Sequence, residues 1–455
     1  MMVQRCFAAG YCHAGFWVRA SLGLVVLAGL CTPSPATAKG GWFSHRQKKP
    51  TPETQPISKS AVNPSQPPAF AIPVEPLGFF APGAIYQGER ESLVSLDFLD
   101  ENRLLFTFRA PGLIRRAGDP TVNGDERQIR AIVLSLPSGT VSAEALWTLH
   151  DRTRYLWMLN DGHFLLRDRG DLKVGDASLE LKPSFRFPGP VLWLEMDPTQ
   201  QMMVTDSREP ADSPARSGDV MSPSTASATV TSDAPRTSGE ADIVLRILRR
   251  VSGKVMLVSH VRTTVHLPIN SEGYIESLRS KGREWILNLN LFTGGSRIIG
   301  KLDSTCSPAL EFVSNDEVLA TTCNPDGSRW MVAMTTDGRR LWNAASPPTQ
   351  IWPRLVMAPN GLRLARETLT VTHPVNAFSP LSFDDVKGQL VEVYDAASGK
   401  PALTTTASPV LDGGGNIAIS PTGKRVAVLN AGAIQVFELP APVPLPLSDG
   451  KPIEH

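Results

Sequence analysis

With 455 residues, 42% hydrophobic and 20% charged, the chain has the composition of a globular protein, large enough for several small domains or one repeat-built one. A net charge of +1 argues against the concentrated basic surface of a nucleic-acid binder, and no nucleic-acid partner is expected. The 39 prolines gather mainly in stretches that otherwise look unfolded.

The first 38 residues read as an export signal. Arg5 and Arg19 flank an unusually long n-region, an apolar run follows from Leu22 to Leu30, and Ala36-Thr37-Ala38 fits the small-x-small pattern of a signal peptidase site. The apolar run is shorter than the ~20 residues of a membrane helix, so no membrane span is expected once the signal is removed. A lipoprotein modified at Cys31 is disfavoured because Leu30 stands where a small residue is wanted, and a retained anchor is the other alternative. The expected location is periplasmic or extracellular. Only Cys306 and Cys323 then remain of the five cysteines, in a compartment that permits a disulfide.

Residues 39–82 are rich in Pro, Gln, Ser and Thr and read as a disordered linker. Residues 207–240 have similar composition but interrupt strand-like sequence, which makes them a disordered loop inserted in the domain. Residues 448–455 read as a tail. Between these segments, short apolar runs alternate with Gly, Asn, Asp and Pro turns, the pattern of antiparallel strands. One hairpin type recurs at 93–108, 155–166, 192–206, 265–278, 310–322, 355–367 and 417–429. Each is followed by a second hairpin, or the start of one. A four-stranded unit of ~40–45 residues is a propeller blade, and the chain is expected to be all-β, a single propeller over 83–447 with seven blades, or eight as the alternative. The last unit supplies three strands. Its fourth would come from Ala84-Ile85-Tyr86-Gln87, or from the edge-only segment Pro442–Leu447.

The unit SPTGKRVAVLNAGAIQVFEL (420–439) carries a Ser-Pro-x-Gly turn before an apolar strand, and Asp337-Gly338-Arg339-Arg340-Leu341-Trp342 carries a DG-x-x-LW hairpin. Both resemble the YVTN/quinoprotein-like (WD40-like) propeller superfamily. The resemblance implies a fold and leaves activity open, since propellers host unrelated functions. Quinoprotein enzymes of this pattern typically carry an adjacent Cys-Cys pair, absent here, and no cofactor is expected. Trp147, Trp157, Trp193, Trp285, Trp330 and Trp342 read as packing between blades.

Cys306 and Cys323 flank the first hairpin of the fifth unit, where a disulfide would tie its open end; two buried thiols are the alternative. Among His150, His163, His260, His266 and His373, no two have the spacing of a ligand pair, and no metal site is assigned. Asp97, Glu195, His266, Asn270 and Glu311 lie on or beside predicted first strands and are candidate axial-channel residues. No G-x-S-x-G, H-E-x-x-H or phosphate-cradling glycine loop is present. The reading is a non-catalytic exported scaffold for an envelope or extracellular protein or glycan. The alternative is a metal-dependent hydrolase or lyase working in the axial channel.

Overall fold

Among the described residues, period-two alternation with β-branched and aromatic residues builds twenty-seven strands, with two short 3-10 turns between them. The structure is a computed structural model that describes residues 66–81, 94–110, 126–209, 242–375, 380–411 and 413–441. The strands form seven antiparallel sheets arranged as the blades of a ring. Blade one spans Val94–Leu149, blade two Leu156–Arg186 and blade three Val191–Val261. Blade four covers Ile269–Asp303, blade five Ala309–Ser346, blade six Gln350–Ala407 and blade seven Ile417–Glu438. No described helix is long and apolar enough to cross a membrane.

Each sheet is apolar on both faces and buries both against its neighbours. Leu105, Ile129 and Trp147 of blade one meet Tyr155 and Phe164 of blade two, and Leu165 and Leu172 meet Leu194 and Met203 at the next seam. Trp342 seals blade five to six through Leu364 and Tyr394, and its indole N–H donates to the Ala396 carbonyl at 2.7 Å.

Blade four departs from the hairpin expected at 265–278. Its innermost strand is reduced to a single bridge between Ile269 and Tyr274. Pro268 has no N–H to give the ladder and keeps only its carbonyl bond, from the Ile275 N–H at 3.0 Å.

Ring closure corrects the expected boundaries. The fourth strand of blade seven is Phe70–Pro73, paired antiparallel with Ala433–Glu438. It lies inside the stretch read as a disordered linker, whereas 84–87 and 442–447 fall outside the described residues. As an edge strand it tolerates Pro73. Behind it, Val74, Leu77 and Phe79 enter the seam between blades seven and one, and Phe79 sits edge-on to Phe106 and Phe108, each at 5.4 Å. The loop insertion of blade three is also shorter than expected at its start: Ser207, Arg208 and Glu209 belong to the strand Met202–Glu209, and residues 210–241 lie outside the described residues.

Cys306 and Cys323 form a disulfide across the open end of the first hairpin of blade five. The Thr305 N–H donates to the Cys323 carbonyl at 2.9 Å beside it. Closing a loop with a sequence separation of 17 restricts the unfolded chain by about 3 kcal/mol. Cys306→Ser/Cys323→Ser is therefore expected to lose about that much in urea unfolding. Equal midpoints for the double variant and the parent would show that the bond adds nothing.

Candidate functional site

On the innermost strands, alternation sends one set of side chains into the seams and leaves the other to the axis. In blade one Leu96 and Phe98 are fully buried while Ser95 and Asp97 are half-buried; in blade five Leu310 and Phe312 are buried while Glu311 is half-buried. Asp97, Glu195 and Glu311 pair in register with Leu105, Val204 and Leu319, so the same position of blades one, three and five carries a carboxylate. Burial pushes the Asp97 carboxyl up to about 6, against the Ser95 hydroxyl at 2.6 Å and the charge of Arg154, which both lower it. Burial also raises Glu311 to about 7, with Arg154 and Arg354 pulling the other way. Glu195 goes highest, to about 8, because burial is joined by repulsion from Glu311.

Arg154, at the threshold of blade two, feels Asp97, Glu195, Glu311 and Arg354. One guanidinium can sense side chains from four other blades only near the axis of the ring. It keeps solvent-accessible surface, yet desolvation by the surrounding protein is the largest influence on it. A side chain near the axis of the ring, walled by the blades yet open to solvent, meets both conditions. Its Nε donates to the Leu156 carbonyl at 3.1 Å and its guanidinium lies 5.1 Å from the centre of the Trp157 ring, which fixes its direction.

Arg354 reaches the channel by a local distortion. The inner strand of blade six slips register between Ile351 and Arg354, and Trp352 there adopts φ 50°, a left-handed conformation costly for a bulky residue. The bulge re-aims Arg354, whose Nη1 donates to the Gly413 carbonyl. Gly414 (φ 65°) is required next to it, since a Cβ there would sit 2.6 Å from the Arg354 Nε. Across the ladder Arg354 faces Glu367, fully buried, raised to about 7 by burial and hydrogen-bonded by Gln389 at 2.5 Å.

The remaining sequence candidates separate from this group. Asn270 is fully buried and caps its own turn, accepting from the Glu272 and Gly273 N–H groups at 2.9 and 2.8 Å and donating to the Asn315 carbonyl at 2.8 Å. Fully buried and with its oxygen committed to the turn, it serves the backbone and not the channel. His266 packs on Trp193, ring centres 3.9 Å apart, and desolvation lowers its pKa. Trp193 also turns its indole N–H toward Glu195, a hydrogen bond that lowers the Glu195 carboxyl against the rise from burial. His150 and His373 sit instead beside Asp168 and Asp385, at 2.9 and 3.0 Å. Among the described residues, no three His, Cys, Asp or Glu side chains are grouped as metal ligands. Arg154, Arg354 and Glu367 were not among the sequence candidates; the one available signal was charge placed just ahead of, or within, a first hairpin.

No protein-family model matches the sequence, and no curated protein does. Among solved structures, Pyrococcus horikoshii acylaminoacyl peptidase aligns with a TM-score of 0.43 at 7% identity, over 78% of this chain and 52% of that one. A chain of the mitotic checkpoint complex gives 0.41 at 12% identity over 88% and 98%, and Sqt1 from Chaetomium thermophilum gives 0.38 at 12% over 78% and 98%. This chain spans about half the length of the acylaminoacyl peptidases. Likeness at this level carries no information about activity.

Proposed function

We propose that the chain is an exported, non-catalytic binding propeller of the YVTN/quinoprotein-like kind, located in the cell envelope or outside the cell, that takes a polar ligand into its axial channel. One contrast supports this. Three buried arginines elsewhere in the ring are paired directly: Arg167 with Asp151 at 3.0 Å, Arg246 with Glu209 at 2.5 Å, Arg366 with Glu392 at 2.6 Å. Arg154, Arg354, Asp97, Glu195 and Glu311 come from five blades to one channel, and among the described residues none forms an ion pair with another. Asp97, Glu195 and Glu311 are half-buried and desolvated without an ion-pair partner, which destabilises a fold, and a ligand that completes the group offsets that. An envelope protein or glycan would present the group that enters.

Native mass spectrometry of mature protein isolated from its own envelope tests the reading. The expected spectrum shows a bound species that is absent from Arg154→Gln/Arg354→Gln. A bound species indifferent to both substitutions would move the site away from the axis. Intact mass should also place the mature N-terminus near Lys39; retention of residues 1–38 would overturn export.

A further inference from the structure

In six of the blades the far end of the second strand, away from the first turn, is covered by the preceding blade. Phe108, Leu166, Ser207, Thr322, Thr368 and Val428 are all buried there. Blade four is different. On its second strand, Gly273–Arg279, Tyr274 and Glu276 are half-buried and Leu278, on the same face, is 51% exposed. The cause is the segment that should run inside it, which leans toward blade three. The Val265 N–H donates to the Asp206 Oδ2 at 2.7 Å, and His266 packs on Trp193 with ring centres 3.9 Å apart. The inner ladder of Gly273–Arg279 therefore stops at the bond from the Ile275 N–H to the Pro268 carbonyl. On an antiparallel edge every second residue turns both its N–H and its carbonyl to the same side. The bonds of Gly273 and Ile275 set that parity, so Ser277 comes next. Among the described residues, neither the Ser277 N–H nor its carbonyl meets a backbone partner across that inner edge.

Beside the open edge stands an acid without a counter-ion. Glu276 accepts from the Asn290 amide at 2.9 Å and forms no ion pair among the described residues. The basic side chains of blade four are engaged elsewhere: Arg283 with Asp303, Arg297 with Glu272, Lys301 with Glu284, and Arg279 on the Gly282 carbonyl. An exposed strand edge accepts another chain through main-chain bonds, and the flanking side chains decide which chain. We propose that a partner protein adds an extended segment to the inner edge of Gly273–Arg279, pairing with Ser277 and setting a lysine or arginine opposite Glu276. An apolar side chain two residues away then covers Leu278, because alternate residues of the added strand share a face. This site is separate from the axial charges and does not depend on their ligand.

Panning phage-displayed random heptapeptides against the purified protein tests the proposal. The selected peptides should carry a lysine or arginine two residues from an apolar one. As synthetic peptides they should bind at least about tenfold more weakly to Glu276→Lys and to Ser277→Pro. Proline at 277 removes the N–H that the incoming strand needs, and an unpaired edge tolerates it. Replacing the basic residue of the peptide by glutamate should restore binding to Glu276→Lys. Thermal unfolding checks that both variants are native. Should Ser277→Pro not fold, peptides N-methylated at alternate amides read the same main-chain bonds, and only one alternation should lose binding. Arg154→Gln/Arg354→Gln should leave peptide binding unchanged, which separates this site from the axial one. No enrichment, selection without a basic residue, or binding indifferent to both substitutions would overturn the proposal. Binding of cellohexaose that Glu276→Lys abolishes, with no peptide selected, would overturn it in favour of a glycan.

Discussion

Glu209→Ala and Arg246→Met are each expected to destabilise the protein by about 3–5 kcal/mol, because either leaves a buried charge alone. Glu209 is 2% exposed and takes both terminal nitrogens of Arg246, at 2.5 and 2.9 Å, together with the Ser207 hydroxyl at 2.6 Å. The pair joins the second and third strands of blade three at the point where the chain leaves for residues 210–241. Glu209→Leu/Arg246→Leu should recover much of the loss, since removing both charges removes the desolvation penalty. Urea unfolding of the four proteins measures this. A single-variant loss below about 1 kcal/mol would place the pair in the class of solvated surface bridges.

Stability is expected to be higher at pH 5 than at pH 8. Burial raises Asp97 and Asp206 to about 6, Glu311 and Glu367 to about 7 and Glu195 to about 8, all above their ordinary values near 4. Between those values the folded chain holds protons that the unfolded chain has released, so unfolding becomes easier as pH rises. The loss starts above about pH 4 and is complete once pH passes about 8. Glu367 alone, raised from 4.5 to about 7 and fully buried, accounts for on the order of 3 kcal/mol. Exposed Asp385, held at about 2 mainly by hydrogen bonds from Ser382, acts oppositely, and only at much lower pH. Thermal unfolding at pH 5 and pH 8 should differ by several degrees, and Glu367→Gln should narrow the gap. A midpoint that rises with pH would mean the carboxylates are solvated.

The blades were legible because an alternating strand, a polar turn and a second strand recur with little room for another fold. Ring closure was legible in kind and misplaced in position. Phe70, Ile72, Val74, Leu77 and Phe79 alternate as a strand and plug should, but Pro67, Pro68, Pro73 and Pro76 make the same stretch read as a linker. Asp97, Glu195 and Glu311 could be placed on first strands because the hairpins recur, while the register they share only the fold displays. Arg154 and Arg354 were not, because one precedes its strand and the other depends on a bulge, which no periodicity announces. Asn270 was misread because an asparagine ahead of a glycine turn serves the backbone before it serves anything else.

The pairing of Phe70–Pro73 with Ala433–Glu438 sets an order of events during synthesis. The Gln66 amide bonds the Glu438 carbonyl across 372 residues, so the first part of the ring to be made waits for the last. Blades one to six can stack in turn on a growing chain, each covering the one before. Blade one keeps Leu96, Phe98 and Phe106 uncovered on its outer side until the final strands emerge. A chain cut short before residue 433 would hold a stack with one open apolar flank, the surface that a holding chaperone recognises. Arrival of the C-terminal strands covers that flank with blade seven, and the ring closes in that one step.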